Sequence, residues 1–97
     1  MRVQFTADLW AYGEEPGSWH FVTLPIDVAD EIRDAAGPRR GFGSIRVSAT
    51  VGATSWQTSL FPDSKSASMV LPMKKAVRIA EGLEAGEPCD VALEPLA

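Results

Sequence analysis

The sequence predicts a mainly β protein, a small antiparallel (split) β-barrel of about six strands with two short α-helices. Apolar and polar residues alternate in several short segments, as they do in strands with one buried face. Only two segments have apolar residues at helical spacing, whereas a parallel doubly wound sheet needs a helix after nearly every strand. Because 97 residues bury only one sizeable core, we expect a single β-barrel domain spanning residues 1–97.

A β-hairpin is predicted at the start of the chain. From Val3 to Ala11 the odd positions are apolar and the even positions mostly polar, which is typical of a half-buried strand. Two glycines and a proline in YGEEPGS predict a turn. The aromatic and β-branched residues of SWHFVTL then predict the returning strand.

The next segment, PIDVADEIRDAAG, has the spacing of a short amphipathic helix, because its apolar residues recur at helical intervals and its acidic residues face away from them. We expect Asp27 to cap the start of this helix and Gly37 to end it. The predicted buried face consists of Ile26, Ala29, Ile32 and Ala36.

A three-stranded meander follows in SIRVSATV, TSWQTSLF and SASMVL, because these segments alternate and are separated by turn residues. The second helix is predicted from about Met73 to Leu83, and CDVALEPL alternates as the last strand. The apolar stripe predicted for the second helix is Met73, Ala76, Val77, Ala80 and Leu83. The predicted common core contains Phe5, Leu9, Phe21, Val47, Leu71 and Val91.

The two helical regions are related in sequence. VTLPIDVADEI and MVLPMKKAVRI both run from a strand through Leu-Pro into a helix, at one constant offset. The matching residues are Leu24, Pro25, Ala29 and Ile32 in the first region and Leu71, Pro72, Ala76 and Ile79 in the second. This weak internal repeat predicts two halves of the barrel related by an approximate two-fold axis.

The chain resembles a bacterial domain-of-unknown-function family that occurs alone or ahead of a YdeI/OmpD-associated segment. The similarity covers nearly the whole length and rests on the opening strand, WHFVTLP, GSIRVSATVGATSWQTSLFP, LPMKKAVR and GEPCDVALE. The chain departs from the family pattern at Gly86-Glu87, where Gly-Asp is expected, and at Pro88 just after it. The resemblance implies a compact β-barrel whose function is not established.

The repeated unit of strand, Leu-Pro, helix and strand also looks like the half-barrel of AbrB-type transcription factors, which pair two such units from separate chains. Here both units would lie in one chain. The DNA-binding role of that group is not carried over, because thirteen acidic residues against nine basic ones give a net charge of -4. This charge argues against nucleic acid as a partner.

The N-terminal segment and the cysteine content predict a cytoplasmic protein. MRVQFTADLWAY alternates where a secretory signal needs an unbroken apolar run, and the lone Cys89 has no internal partner for a disulfide. Charged residues interrupt the chain too often for a membrane span.

Lys74, Lys75 and Arg78 are the candidate ligand-binding residues. They lie near the start of the second predicted helix, where the helix dipole disfavours each positive charge by about 0.3–1 kcal/mol. Two explanations stay open: acidic side chains such as Glu81 or Glu84 pair with the cations, or a small anion binds among them. The greater frequency of charge pairs favours the first explanation.

A possible contact surface is predicted from four other residues. Trp10 and Tyr12 share the outward face of the first strand, and Arg39 and Arg40 lie in the basic, glycine-containing loop PRRGFG. Exposed aromatic residues often mark contact surfaces. The alternative for Trp10 and Tyr12 is that a helix of the same domain covers them.

Our leading functional hypothesis is a non-catalytic binding module for a protein partner or a small anionic ligand, acting as a monomer or a homodimer. No motif for a nucleophile, a metal or a cofactor accompanies the single histidine, so we predict no catalytic residue, metal or cofactor.

Two alternatives remain open. One is an AbrB-like DNA-binding protein that uses Arg39, Arg40 and Arg46. The other is a small enzyme with a site between strands near Trp19, His20 and Arg78.

Overall fold

The computed structural model describes residues 1–13, 18–37 and 43–96, which form six strands and two helices. The strands are β1 (Val3–Tyr12), β2 (Trp19–Thr23), β3 (Ile45–Val51), β4 (Thr54–Asp63), β5 (Ser68–Pro72) and β6 (Pro88–Pro95). The helices are α1 (Ile26–Ala36), which follows β2, and α2 (Lys75–Glu81), which follows β5.

The six strands close into one antiparallel barrel in the order β1-β2-β5-β4-β3-β6. Each neighbouring pair is antiparallel. The predicted fold class, a small antiparallel barrel with two short helices, is therefore confirmed. Closure leaves no strand of the barrel with an unpaired edge.

The strand order relates the two halves of the chain. It is unchanged when β1 and β4, β2 and β5, and β3 and β6 are exchanged. The exchanged strands have similar lengths, namely 10 and 10, 5 and 5, and 7 and 8 residues. Each half runs strand, strand, helix, strand, which is the arrangement that two related halves require.

In the two helices, residues that the sequence repeat predicts to be equivalent differ in burial. Ala29 and Ile32 are fully buried in α1, whereas their matches in α2, Ala76 and Ile79, are exposed. The reason is that α1 begins directly after its Leu-Pro pair, whereas α2 begins only at Lys75. Matched residues therefore lie on different faces of the two helices.

The barrel interior is packed with aliphatic side chains, among them Leu9, Val47, Leu71 and Val91, as predicted. Phe5 is half-buried and packs against this core. The prediction that Phe21 belongs to the core is wrong. Val22 of β2 faces inwards, and since side chains alternate along a strand, Phe21 faces outwards.

The ends of α1 need one correction. Pro25 holds the N-cap position without a side-chain cap hydrogen bond, so the prediction that Asp27 caps this helix is wrong. Asp27 instead lies in the first turn, where its negative charge complements the helix dipole. Ile26 is 56% exposed and does not belong to the buried face. Gly37 ends α1 as predicted, with a φ of 69°.

The second helix is shorter than predicted, because it has seven residues and ends at Gly82, which has a left-handed φ of 63°. Met73 and Val77 are buried as expected, but Ala76 and Ala80 are exposed. The predicted apolar stripe is therefore only partly correct. No helix in the described parts of the chain is long and apolar enough to cross a membrane.

Candidate functional site

A surface pocket of about 270 Å³ lies where β2 meets the segment between β5 and α2. We call it the cationic pocket, and its lining consists of Ser18, Trp19, His20, Pro72, Met73, Lys74, Lys75 and Arg78. It combines two predicted sets: the three cations of the anion site, and the Trp19, His20 and Arg78 set of the enzyme alternative. No carboxylate or thiol is present in this lining, as far as the described residues go.

Backbone pairing between β2 and β5 brings these distant residues together. Phe21 lies opposite Pro72 in the antiparallel register, and the amide nitrogen of Met73 donates a hydrogen bond to the carbonyl oxygen of His20 at 2.8 Å. This bond continues the pairing past the end of β5, so the segment that enters α2 lies beside His20. The pocket is therefore a product of strand pairing.

Arg78 has a defined orientation at the pocket. Its Nε donates a hydrogen bond to the carbonyl oxygen of Met73 at 3.0 Å, and its side chain is half-buried. Among the described residues, no carboxylate lies within ion-pair distance of Arg78. A guanidinium has five N–H donors, and no described residue accepts from Nη1 or Nη2, so these donors remain for a ligand. Their planar arrangement suits a carboxylate or a phosphate.

Lys74 and Lys75 are exposed at the start of α2 and form no ion pair within residues 1–13, 18–37 and 43–96. Glu81, one of the expected partners, instead accepts a hydrogen bond from Thr54 Oγ1 at 2.7 Å. Glu84 is exposed and also forms no ion pair with either lysine. The expected pairing of the lysines with Glu81 or Glu84 is therefore wrong.

His20 adds a different hydrogen-bonding group to the cationic pocket. Its Nδ1 lies 2.9 Å from the carbonyl oxygen of Ser18, and since a carbonyl oxygen only accepts, Nδ1 carries the hydrogen. In the neutral ring Nε2 is then an acceptor, and in the protonated ring it is a donor. The half-buried His20 ring is thus oriented by the backbone of Ser18, the residue just before β2.

Among the described residues, two ionisable groups have shifted pKa values, and both lie outside the cationic pocket. Burial raises the pKa of the Cys89 thiol, which faces the core from β6. A hydrogen bond from the Ser66 hydroxyl lowers the pKa of Asp63, the last residue of β4. The described residues include no group of three His, Cys, Asp or Glu side chains placed to hold a metal ion. The described lining of the pocket thus offers cationic and hydrogen-bonding groups for an anion.

A second surface feature adjoins the cationic pocket, on the outer side of β1, β2, β4 and β5. It is a hollow of about 460 Å³, which we call the apolar hollow, and its lining consists of Tyr12, Trp19, Phe21, Phe61, Val70 and Pro72. Tyr12 and Trp19 are each 68% exposed and Phe61 is 44% exposed. Contiguous exposed apolar surface of this kind is typical of a binding surface.

The aromatic side chains of this face pack across neighbouring strands. Trp10 lies opposite Phe21 in the register of β1 and β2, with ring centroids 5.1 Å apart. The rings of Trp19 and Phe21 are nearly parallel, at 10°, with centroids 6.4 Å apart. Trp10 Nε1 donates a hydrogen bond to Thr23 Oγ1 at 2.8 Å, so this indole is fixed within the sheet.

Of the four residues of the predicted contact surface, the structure describes two. Trp10 and Tyr12 lie on the outward face of β1, and the exposure of Tyr12 shows that no described helix covers it. Arg39 and Arg40 lie outside the described residues, so their contact role stays a prediction. Sequence reasoning missed Phe61, whose only signal was its place near the end of an alternating strand.

The fold and these two surfaces define a small closed β-barrel protein with an outward-facing candidate binding site. The family model described as domain of unknown function (DUF1905) matches residues 5–93, and the chain therefore belongs to this family. This confirms the predicted membership of a domain-of-unknown-function family. A comparison with curated proteins gave no match.

Proposed function

We propose that this protein is a non-catalytic binding module whose cationic pocket holds a small anion. One observation carries the proposal: Lys74, Lys75 and Arg78 line one pocket, and no described carboxylate neutralises them. Like charges that line one pocket without a counter-charge repel each other, and a bound anion relieves that repulsion. Each cation therefore favours an anion in the same small volume.

The residues of the pocket have different roles in this proposal. Arg78, oriented by its bond to the Met73 carbonyl, supplies paired donors to two oxygens of the anion. Lys74 and Lys75, which are exposed, supply positive charge at the pocket. His20 donates a hydrogen bond from Nε2 to the anion when its ring is protonated, whereas the neutral ring can only accept a hydrogen bond there from an O–H or N–H group of the ligand.

The overall charge favours a small anion over a polyanion. With a net charge of -4, the chain as a whole repels a long anion, and three local cations release few counterions. The DNA-binding alternative includes Arg46, which lies outside this pocket on β3. A salt series on an immobilised phosphate matrix separates the two, because DNA-type binding weakens steeply with salt.

The remaining parts of the proposal concern the setting of the protein. The buried free thiol of Cys89 suits a reducing compartment, which supports a cytoplasmic location. The two-fold strand order is what related AbrB-like half-barrels require, and an association with YdeI-type segments follows from the family resemblance alone. A protein partner remains the second occupant considered, because of the exposed aromatic side chains.

The proposal is tested by thermal unfolding with increasing inorganic phosphate at constant ionic strength. We expect the Tm of the parent to rise and that of Lys74→Ala/Lys75→Ala to stay constant, since a ligand of the folded state stabilises by mass action. At phosphate near 100 times Kd, this stabilisation is about 2.7 kcal/mol.

The matched control is Arg46→Ala/Lys65→Ala, which removes the same net charge from residues outside the pocket lining. It should respond to phosphate like the parent. Equal stabilisation of all three proteins, or of none, would show that the pocket is not an anion site.

A further inference from the structure

We infer that the ligand of this site is an organic anion with an elongated apolar body, bound at its charged end by the cationic pocket and along its body by the apolar hollow. This inference rests on the proposed function, because the cationic pocket is the anchor for the charged group. It adds the chemical class of the ligand.

The two features form one continuous surface. Trp19 and Pro72 line both the cationic pocket and the apolar hollow. Because these two shared side chains are themselves apolar, a ligand that extends from one feature into the other contacts apolar side chains at their junction, as far as the described lining shows. One molecule is therefore able to contact both.

The two parts differ in charge, and this difference selects the ligand. The cationic pocket carries positive side chains beside apolar ones such as Met73, whereas the described side chains that line the hollow are all aromatic or aliphatic and carry no charge. Inorganic phosphate uses only the first part, and a neutral hydrocarbon uses only the second. A molecule with a carboxylate at one end and an aromatic or alkyl body uses both, with the body packed against Trp19 and Phe61.

The exposure of the hollow is not explained by folding. Trp19 is 68% exposed and Phe61 is 44% exposed in the closed barrel, so a large part of their apolar area stays in contact with water after folding. Covering this area with an apolar body removes it from water. Charge complementarity at the adjoining pocket then favours an occupant that carries a negative group at that end.

The experiment uses a series of carboxylates with the same charged group: acetate, phenylacetate, 4-phenylbutanoate and 6-phenylhexanoate. Binding is followed by NMR shifts of the Trp19 indole and the His20 ring. Affinity should rise along the series by about fourfold for each methylene that is buried. The neutral analogue 6-phenylhexan-1-ol should bind at least about tenfold more weakly than 6-phenylhexanoate, because it lacks the charge.

Three variants separate the two parts of the site. Phe61→Ser, in the hollow but outside the cationic pocket, should weaken 6-phenylhexanoate by about tenfold and leave acetate unchanged. Lys74→Met/Lys75→Met should weaken the binding of both 6-phenylhexanoate and acetate. Ile79→Ser is the control, since Ile79 is 70% exposed and lines neither feature. It should change neither affinity.

The results that overturn the inference differ from those that overturn the proposed function. If the four carboxylates bind equally at the cations, the hollow takes no part and only the inference is wrong. If neither phosphate nor any carboxylate depends on Lys74 and Lys75, the proposed function fails as well. If the alcohol binds as tightly as the acid, the charged anchor is wrong. A dimer in sedimentation that Phe61→Ser dissociates would assign the hollow to a second copy of the chain.

Discussion

The two helices occupy equivalent places in the strand order, yet they differ in length, burial and charge. α1 follows β2, has 11 residues and buries Ala29 and Ile32. α2 follows β5, has seven residues and buries Val77. The first turn of α1 contains Asp27, whereas α2 begins at Lys75 with no acidic residue in its first turn.

This difference indicates that helices at equivalent positions in the strand order have different roles in the same barrel. α1 packs against β1, β5 and β6 and adds to the core, and its acidic start complements its dipole. α2 adds less to the core, and its cationic start opposes its dipole but lines a pocket. The positive charges at the start of α2 are disfavoured by the helix dipole, and they lie beside a candidate site. This is expected where a function is kept at a cost in stability.

The largest expected effect concerns burial. Ile32→Ala should lower the free energy of unfolding by about 2–5 kcal/mol, and Val77→Ala by about 1–3 kcal/mol, because each leaves a cavity in the core. Urea unfolding of the purified variants measures both values. Ile79→Ala, on the exposed side of α2, is the control and should stay within about 0.5 kcal/mol of the parent. An Ile79 variant as unstable as the Ile32 variant would show that the two helices contribute alike.

The next effect is the change in stability when one charge is removed from the first turn, and this change has opposite signs in the two helices. In buffer of low ionic strength without added phosphate, Asp27→Asn should cost about 0.3–1 kcal/mol, and Lys75→Gln should add stability of similar size. Urea unfolding measures both. Salt at about 1 M should remove both differences, because it screens exposed charges. Loss of stability in Lys75→Gln without any anion would indicate that a partner of Lys75 holds it in the folded state.

The smallest effect concerns a charge that, unlike the lysines, has local donors. Both the amide nitrogen and the hydroxyl of Ser66 donate hydrogen bonds to Asp63 Oδ2, and the hydroxyl bond is the main cause of the lowered pKa of Asp63. A carboxyl with a lower pKa in the folded state stabilises the protein above its unfolded pKa. That stability is lost as the pH falls through the folded pKa.

Asp63→Asn should therefore lower Tm slightly at about pH 7, and the difference from the parent should vanish at about pH 2. Ser66→Ala should give the same pH dependence, and combining the two substitutions should add little, because both remove one interaction. A Tm difference that stays constant down to about pH 2 would contradict the assigned cause of the shift.

The strands were predictable from the sequence because period-two alternation reports directly on which side of a strand is buried. The prediction that Phe21 lies in the core was wrong because an apolar residue on an apolar outer surface cannot be distinguished by alternation from one in the core. The apolar stripe of α2 failed because the helix is short and begins late, so Ala76 and Ala80 turn away from the barrel.

The candidate site was predictable only in pieces. The three cations stood out by their place at a helix start, and Trp10 and Tyr12 by their shared outward parity. The cations lie beside His20 because β2 pairs with β5. Phe61 lines the adjoining hollow because β4 pairs with β5. No local pattern encodes those pairings.

The sequence by itself determined the six strands, the two helical regions and the excess of cations at the start of α2, because alternation, helical spacing and charge are properties of neighbouring residues. Only the tertiary structure decided that β2 lies between β1 and β5, and that Met73 binds the backbone of His20. The physical reason is that strand pairing joins backbone groups far apart in the chain, whose hydrogen bonds do not depend on side-chain type. The same pairing brings Lys74 beside His20 and Phe61 beside Val70.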